Sequence, residues 1–431
     1  MKFYSTNNKS HQVKLEEAVV RGLAPDGGLY MPVVLNPFPV SYFDSLPKKS
    51  FQEMGFAVAH QLLGDDVPVD VLQQMVEHTV TFDAPLVEIE ANIFALELFH
   101  GPTLAFKDFG ARFMSQLLGY FAKKQNREVT ILVATSGDTG SAVANGFLGV
   151  PNTKVVVLYP SGKVSDIQEK QFTTLGKNIT ALEVDGTFDD CQRMVKQAFG
   201  DGELQQKLFL TSANSINIAR LIPQSFYYFW AWSRLANRGN VVASVPSGNF
   251  GNLTAGLLAK RLGLPINHFI ASTNANDIVP QYLVSKKFNP QHSIATISNA
   301  MDVGNPSNFA RMLDLYQGDW ASLSADITGF SFSDDETQNE MLNVYQKDKY
   351  TLDPHGAVGL LGLKKYLKSN ANAVGFFLET AHPAKFKSVV DETLNASIEI
   401  PQKLSAFVSG SKKSIVMRSD FNAFKNWLLK M

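Results

Sequence analysis

From residue 128 onward the chain repeats one pattern, short β-rich runs separated by helical stretches, and nothing else in it constrains the fold as strongly. Apolar, β-branched runs stand at 129–134, 154–158, 179–184 and 209–211, and again at 241–245, 269–272 and 374–378. Stretches with helical spacing lie among them at 139–148, 165–175, 188–199, 218–236 and 252–262. Strands alternating with helices of roughly ten to fifteen residues build βαβ units, which put the strands in a parallel sheet covered on both faces. The near-continuous apolar character of VTILVA and KVVVLY agrees with strands buried on both sides. The expected class is α/β, with mostly parallel sheets covered by helices.

At 431 residues the chain is too long for one simple core, so more than one domain is expected. Residues 1–88 read as a separate N-terminal helical and extended unit. It holds a short helix at 15–22 ending on glycine, the turn APDGG at 24–28 and helical patterns at 50–63 and 69–79, with the proline-rich connector PVVLNPFPV between turn and helices. A first α/β domain then spans 89–240 and a second 241–431. Residues 290–329 are irregular and rich in Asn, Ser and Gly, and no element is assigned there.

Charge and cysteine usage remove whole classes of function. Lys and Arg number 39 against 40 Asp and Glu, a balance that gives no reason to invoke a nucleic acid or an anionic membrane. The single cysteine, Cys191, excludes an internal disulfide framework and fits a reducing cytosol. Residues 1–17 are polar, without the apolar centre of a secretory signal, and no apolar run reaches membrane-spanning length. The expectation is a soluble, cytoplasmic protein acting on a small molecule, with no metal.

In open α/β sheets ligands bind beyond the carboxyl ends of strands, and three polar motifs stand there. ATSGDTG at 134–140 follows VTILV, SGNFGN at 247–252 follows VVASV with its proline, and ETAHPAKF at 379–386 follows VGFFL. SGNFGN presents backbone N–H groups and a helix N-terminus to an anion, and it matches neither the P-loop nor the dinucleotide fingerprint. A ligand-free glycine turn is the plain alternative. Ser136 and Thr139, with the first helical amides of the SGDTG loop, are neutral donors suited to a carboxylate. In SANSINIARL at 212–221, Arg220 carries a planar, permanent charge suited to phosphate. It stands in a helix's first turns, where a cation is unfavourable; the alternative is a surface arginine.

Lys107 lies in FHGPTLAFKDFGARF at 99–113, where a helix is expected to begin, with Phe109, Phe113, Leu117 and Phe121 at four-residue spacing behind it. A helix start and desolvation both disfavour a protonated amine, and a neutral amine is what a Schiff-base lysine must be. The alternative is an ordinary lysine with its stem on apolar surface and its head in water.

This stretch, with SGDTG, SGNFGN and ETAHPAKF, resembles the threonine synthases, pyridoxal-phosphate enzymes of the tryptophan-synthase-β fold type. The resemblance runs from APDGGLYMP at 24–32 to about residue 400. It implies a two-domain fold of type II and pyridoxal 5'-phosphate carried on Lys107, which also serves as general base and acid. By the same resemblance Gly248, Asn249, Phe250, Gly251 and Asn252 hold the cofactor's phosphate. Thr380 faces its pyridine nitrogen and Asp138 stands near its phenolic oxygen, where either the phenol or Asp138 should hold a proton. Ser136 and Thr139 would grip the carboxylate of O-phospho-L-homoserine, and Asn214, Ser215 and Arg220 its phosphate. The implied reaction is γ-elimination of phosphate and β-hydration to L-threonine. A phospholyase or dehydratase of the same fold, and a non-catalytic binder of a phosphorylated ligand, remain alternatives. His355, Lys385, His382 and the oligomeric state are left open.

Overall fold

The structure is a computed structural model describing residues 1–235 and 239–431. The first nine strands are β1 (Lys2–Ser5), β2 (Gln12–Lys14), β3 (Tyr30–Pro32), β4 (Leu86–Glu90), β5 (Ile93–Glu97), β6 (Val129–Ala134), β7 (Thr153–Pro160), β8 (Ile179–Asp185) and β9 (Leu210–Ser212). They are followed by β10 (Asn240–Pro246), β11 (His268–Thr273), β12 (Ile327–Ser331), β13 (Ala373–Glu379) and β14 (Ile415–Arg418). The chain forms two compact units, one of Met1, Met31–Phe106 and Leu221–Glu399, the other of Lys2–Tyr30, Lys107–Arg220 and Ile400–Met431.

The first unit is built on a six-stranded sheet in the order β12-β11-β10-β13-β5-β4. Its neighbours run parallel except for the antiparallel edge pair β4/β5. Every residue of β13 is buried, as the continuous run VGFFL requires. Leu360 and Leu363 of the helix Pro354–Leu367 pack with Val242, Ile270 and Phe377 of the sheet in one apolar cluster.

The second unit carries a five-stranded, wholly parallel sheet in the order β14-β8-β7-β6-β9. Leu132, Val156, Leu158 and Leu182 pack against Cys191, Met194 and Val195 of the helix Phe188–Gly200 and against Phe424 and Leu428 of the last helix. The Cys191 thiol is pushed up to about 12 by burial, which suits packing and not nucleophilic chemistry.

The α/β class and the parallel sheets are as expected, and β6 and the helix Val69–Thr79 match their expected bounds. The contiguous division at 88 and 240 does not match the compact units, and the reason is strand pairing. β5 pairs with β13, which places 31–106 with the chain beyond 220. Residues 2–30 pack elsewhere: Asn217 Nδ2 donates to the Val19 carbonyl at 2.9 Å, and Lys124 pairs with Glu16 at 3.2 Å. The N-terminal 88 residues are therefore shared by both units. The expected helix over 218–236 is interrupted, running as Ile218–Leu221, a 3₁₀ turn at Ile222–Ser225 and Phe226–Leu235. Pro223 lacks the N–H that an unbroken helix needs there; Ala236 lies outside the described residues. The segment 290–329 contains two seven-residue helices, Phe309–Leu315 and Trp320–Asp326, too short to show a period in sequence. Among the described residues no helix is long and apolar enough to cross a membrane.

Candidate active site

Lys107 is the first residue of the helix Lys107–Gln125, whose Phe109, Phe113, Leu117 and Phe121 are all buried. Lys107 itself is half-buried. The residue ahead of it is held by main chain: Phe106 N donates to the Thr380 carbonyl at 2.8 Å, and Leu98 N to that of Glu379 at 3.0 Å. Leu104, in this same run, is buried with φ of 56°, a strained conformation for a branched residue.

In the second unit the SGDTG loop closes around Thr135, whose Oγ1 accepts from Gly137 N at 2.9 Å and Gly140 N at 2.8 Å. Gly137 has φ of 138°, and a Cβ there would lie 2.5 Å from Gln168 Cδ. Gln168 Nε2 donates to Asp138 Oδ1 at 2.8 Å, so one oxygen of that buried carboxyl is occupied by the protein. Gln168 is the residue that sequence reasoning missed; a glutamine in the first turn of a separate helix carries no local signal of this role. Asn214 Nδ2 donates to the Ala134 carbonyl at 3.1 Å, because β6 and β9 are paired neighbours. Ser136, Asp138, Thr139, Asn214 and Ser215 thus follow the carboxyl ends of two adjacent strands, with Ser136, Thr139, Asn214 and Ser215 half-buried.

Arg220 is not a surface arginine, being only 3% exposed. Its Nη1 donates to the Ala213 carbonyl at 2.5 Å, and its Nε would stand 2.8 Å from a Cβ at Gly110, one turn into the Lys107 helix. Burial lowers Arg220 to about 10 while the charge of buried Asp108 acts to raise it, so it stays cationic at neutral pH.

In the first unit β10 and β13 are neighbours, with Ser244 paired to Phe377, so the glycine loop and Thr380 leave adjacent strand ends. Ser247 N donates to the Ser272 carbonyl at 2.8 Å. Phe250, buried and with φ of 58°, caps the eleven-residue helix Gly251–Arg261. Asn249 Oδ1 accepts from Ser307 N at 2.6 Å and its carbonyl from Asn308 Nδ2 at 3.0 Å. A Cβ at Gly248 would lie 2.6 Å from Met301 Cα, so only glycine fits.

Asn252 Oδ1 accepts from the hydroxyls of Tyr227 at 2.7 Å and Tyr228 at 2.9 Å. Burial raises both phenols well above their ordinary value, which keeps them protonated donors. Asn252 Nδ2 is buried with no hydrogen-bond partner among the described residues. A buried donor left over at a helix N-terminus, inside a glycine loop, calls for an anionic acceptor. The residues present therefore fit a phosphate-bearing cofactor.

Behind Thr380, Glu379 Oε1 accepts from Asp353 N at 2.8 Å. Burial, then the charge of Asp353, pushes the Glu379 carboxyl well above the usual carboxylate range. His355 Nδ1 lies 2.5 Å from Asp353 Oδ1 and its Nε2 accepts from Ala300 N at 3.2 Å, a framework role. Lys385 is 1% exposed and donates to the Thr103 carbonyl at 2.9 Å, so it is not solvated. His382 is pushed down to about 4, chiefly by burial.

Parallel sheets with a lysine opening a helix, a glycine-rich loop at a helix N-terminus and a hydroxyl at the adjacent strand end fit the class of pyridoxal-phosphate enzymes of α/β fold. Residues 76–377 match the family described as "Pyridoxal-phosphate dependent enzyme". Residues 2–80 match "Threonine synthase N terminus" and 356–428 "Threonine synthase, C-terminal". A threonine synthase of Haemophilus influenzae is 47% identical over 100% of both chains. The crystal structure of threonine synthase from Escherichia coli superposes with a TM-score of 0.93 at 44% identity, covering 100% of both chains. PLP-bound threonine synthase from Brucella melitensis gives 0.93 at 35% identity, over 100% of this chain and 99% of that one. The chain belongs to the threonine synthase family.

Proposed function

We propose that the chain converts O-phospho-L-homoserine and water to L-threonine and phosphate in the cytoplasm. The observation that carries this reading is the placement of neutral donors, Ser136, Thr139, Asn214 and Ser215, at the ends of adjacent strands in the unit whose helix Lys107 opens. Pyridoxal phosphate supplies an electron sink for charge developing on the substrate carbons. Lys107 holds the cofactor and moves protons at the substrate's Cα and Cβ. The amides of Gly248, Asn249, Phe250, Gly251 and Asn252, with Asn252 Nδ2, bind the cofactor phosphate. The Thr380 hydroxyl would meet the pyridine nitrogen and, as a neutral partner, would leave it mostly unprotonated. Asp138, held by Gln168, would stand at the phenolic oxygen.

Ser136, Thr139 and the first amides of the helix Asp138–Phe147 orient the substrate carboxylate. Asn214, Ser215 and Arg220 orient the phosphate that leaves. Incubation with O-phospho-L-homoserine, assaying threonine, 2-oxobutyrate and phosphate together, tests the reading. Threonine and phosphate in equal amounts support it; 2-oxobutyrate and ammonia in place of threonine assign a deaminating phospholyase.

A further inference from the structure

The glycine loop is held from behind by a segment to which the proposed reaction gives no part. Ala300 and Met301 pack against Gly248, and Ser307 N and Asn308 Nδ2 hold the two oxygens of Asn249. Asn308 is in turn held by Arg311, whose Nη1 donates to Asn308 Oδ1 at 2.8 Å. Asn308 and Arg311 are both 0% exposed. A guanidinium is expensive to bury, and this one lies two hydrogen bonds behind a loop read as binding a phosphate dianion. Burial brings Arg311 down to about 9, so it remains protonated at neutral pH. The next residue of the loop, Phe250, holds a left-handed backbone that persists only where its surroundings over-determine it.

We propose that Arg311 is a positioning residue for the cofactor's phosphate, locking Asn249 through Asn308 and adding buried positive charge behind the loop. This rests on the reading of 248–252 as the phosphate loop. The geometry predicts a selective effect. Arg311 acts on the end of the cofactor that carries the phosphate and on nothing at the ring.

The test strips cofactor from the full-length enzyme and measures the affinities of pyridoxal phosphate and of pyridoxal, which lacks the phosphate. Wild type should prefer the phosphorylated form strongly. Arg311→Met should cut that preference by about tenfold or more, leaving pyridoxal binding unchanged. Arg311→Lys, which keeps charge but loses the planar fork, should recover part of it. Asn308→Ala keeps the arginine and breaks the relay, so it should lower the preference in the same direction and decides the matter should Arg311→Met fail to fold. Equal weakening of both ligands, or an unchanged preference in the folded variants, overturns the proposal. A wild type with no preference for the phosphorylated form overturns instead the reading of the loop.

Discussion

Phe106 N donates to the Thr380 carbonyl at 2.8 Å, so the residue preceding Lys107 and the residue following β13 are joined by one main-chain hydrogen bond. Ala105 and Ala381 form a bridge beside it, and His382 N donates to the Leu104 carbonyl at 3.0 Å. Residues 98–106 are thereby fixed as a ribbon against the end of a buried strand. Main chain held on both sides places groups more narrowly than long side chains on loops do.

Replacement of Lys107 by Ala should leave a folded protein that still takes up pyridoxal phosphate through the glycine loop. Borohydride should no longer fix cofactor to the chain, and turnover should fall by roughly 10²–10⁴ or more. Steady-state kinetics and mass spectrometry after reduction check both points; near-normal turnover rules out the assigned role.

Gly248→Val should weaken cofactor binding. Its Cβ would meet Met301 Cα at 2.6 Å and the Ala300 carbonyl at 3.1 Å, both backbone atoms that cannot swing aside. Overpacking of this kind costs about 1–3 kcal/mol, visible as a lowered melting temperature together with weaker binding. Unchanged cofactor affinity would place the phosphate elsewhere.

Arg220→Ala removes a buried cation beside Asp108 and should cost about 3 kcal/mol or more of stability. Loss of a desolvated charged hydrogen bond to substrate phosphate costs about 2–5 kcal/mol, or roughly 30-fold and more in kcat/KM. Arg220→Lys should recover only part, for want of the fork. The visible spectrum and cofactor affinity should match wild type; lost cofactor with intact substrate binding assigns the arginine to the other phosphate.

Stability should fall in acid through Glu183. Burial alone would raise its carboxyl, but hydrogen bonds from Lys412, Ser161 and Ser414 and the Lys412 charge bring it down to about 2. A depressed acid stabilises the fold above its unfolded value near 4.5 and loses that contribution as pH falls toward 2. Glu183→Gln should therefore lower the urea midpoint at pH 7, and the gap to wild type should close between pH 4.5 and 2. A gap independent of pH would contradict the ion pair's contribution.

Local periodicity in the sequence was enough to determine the α/β class, most strands between 129 and 378 and the helix that Lys107 opens, because 2.0- and 3.6-residue repeats act within one element. The placement of SGNFGN and of the SGDTG loop was equally legible, since each motif is a few adjacent residues at a strand end. Only the tertiary structure decided that β5 joins β13 and so divides the first 88 residues between two units. It alone put Gln168 on Asp138, Arg220 on Gly110 and Arg311 behind Asn249. Each of these pairings joins residues from 30 to 282 positions apart, and the pairing of distant segments depends on which faces exclude water together, a property no single segment carries.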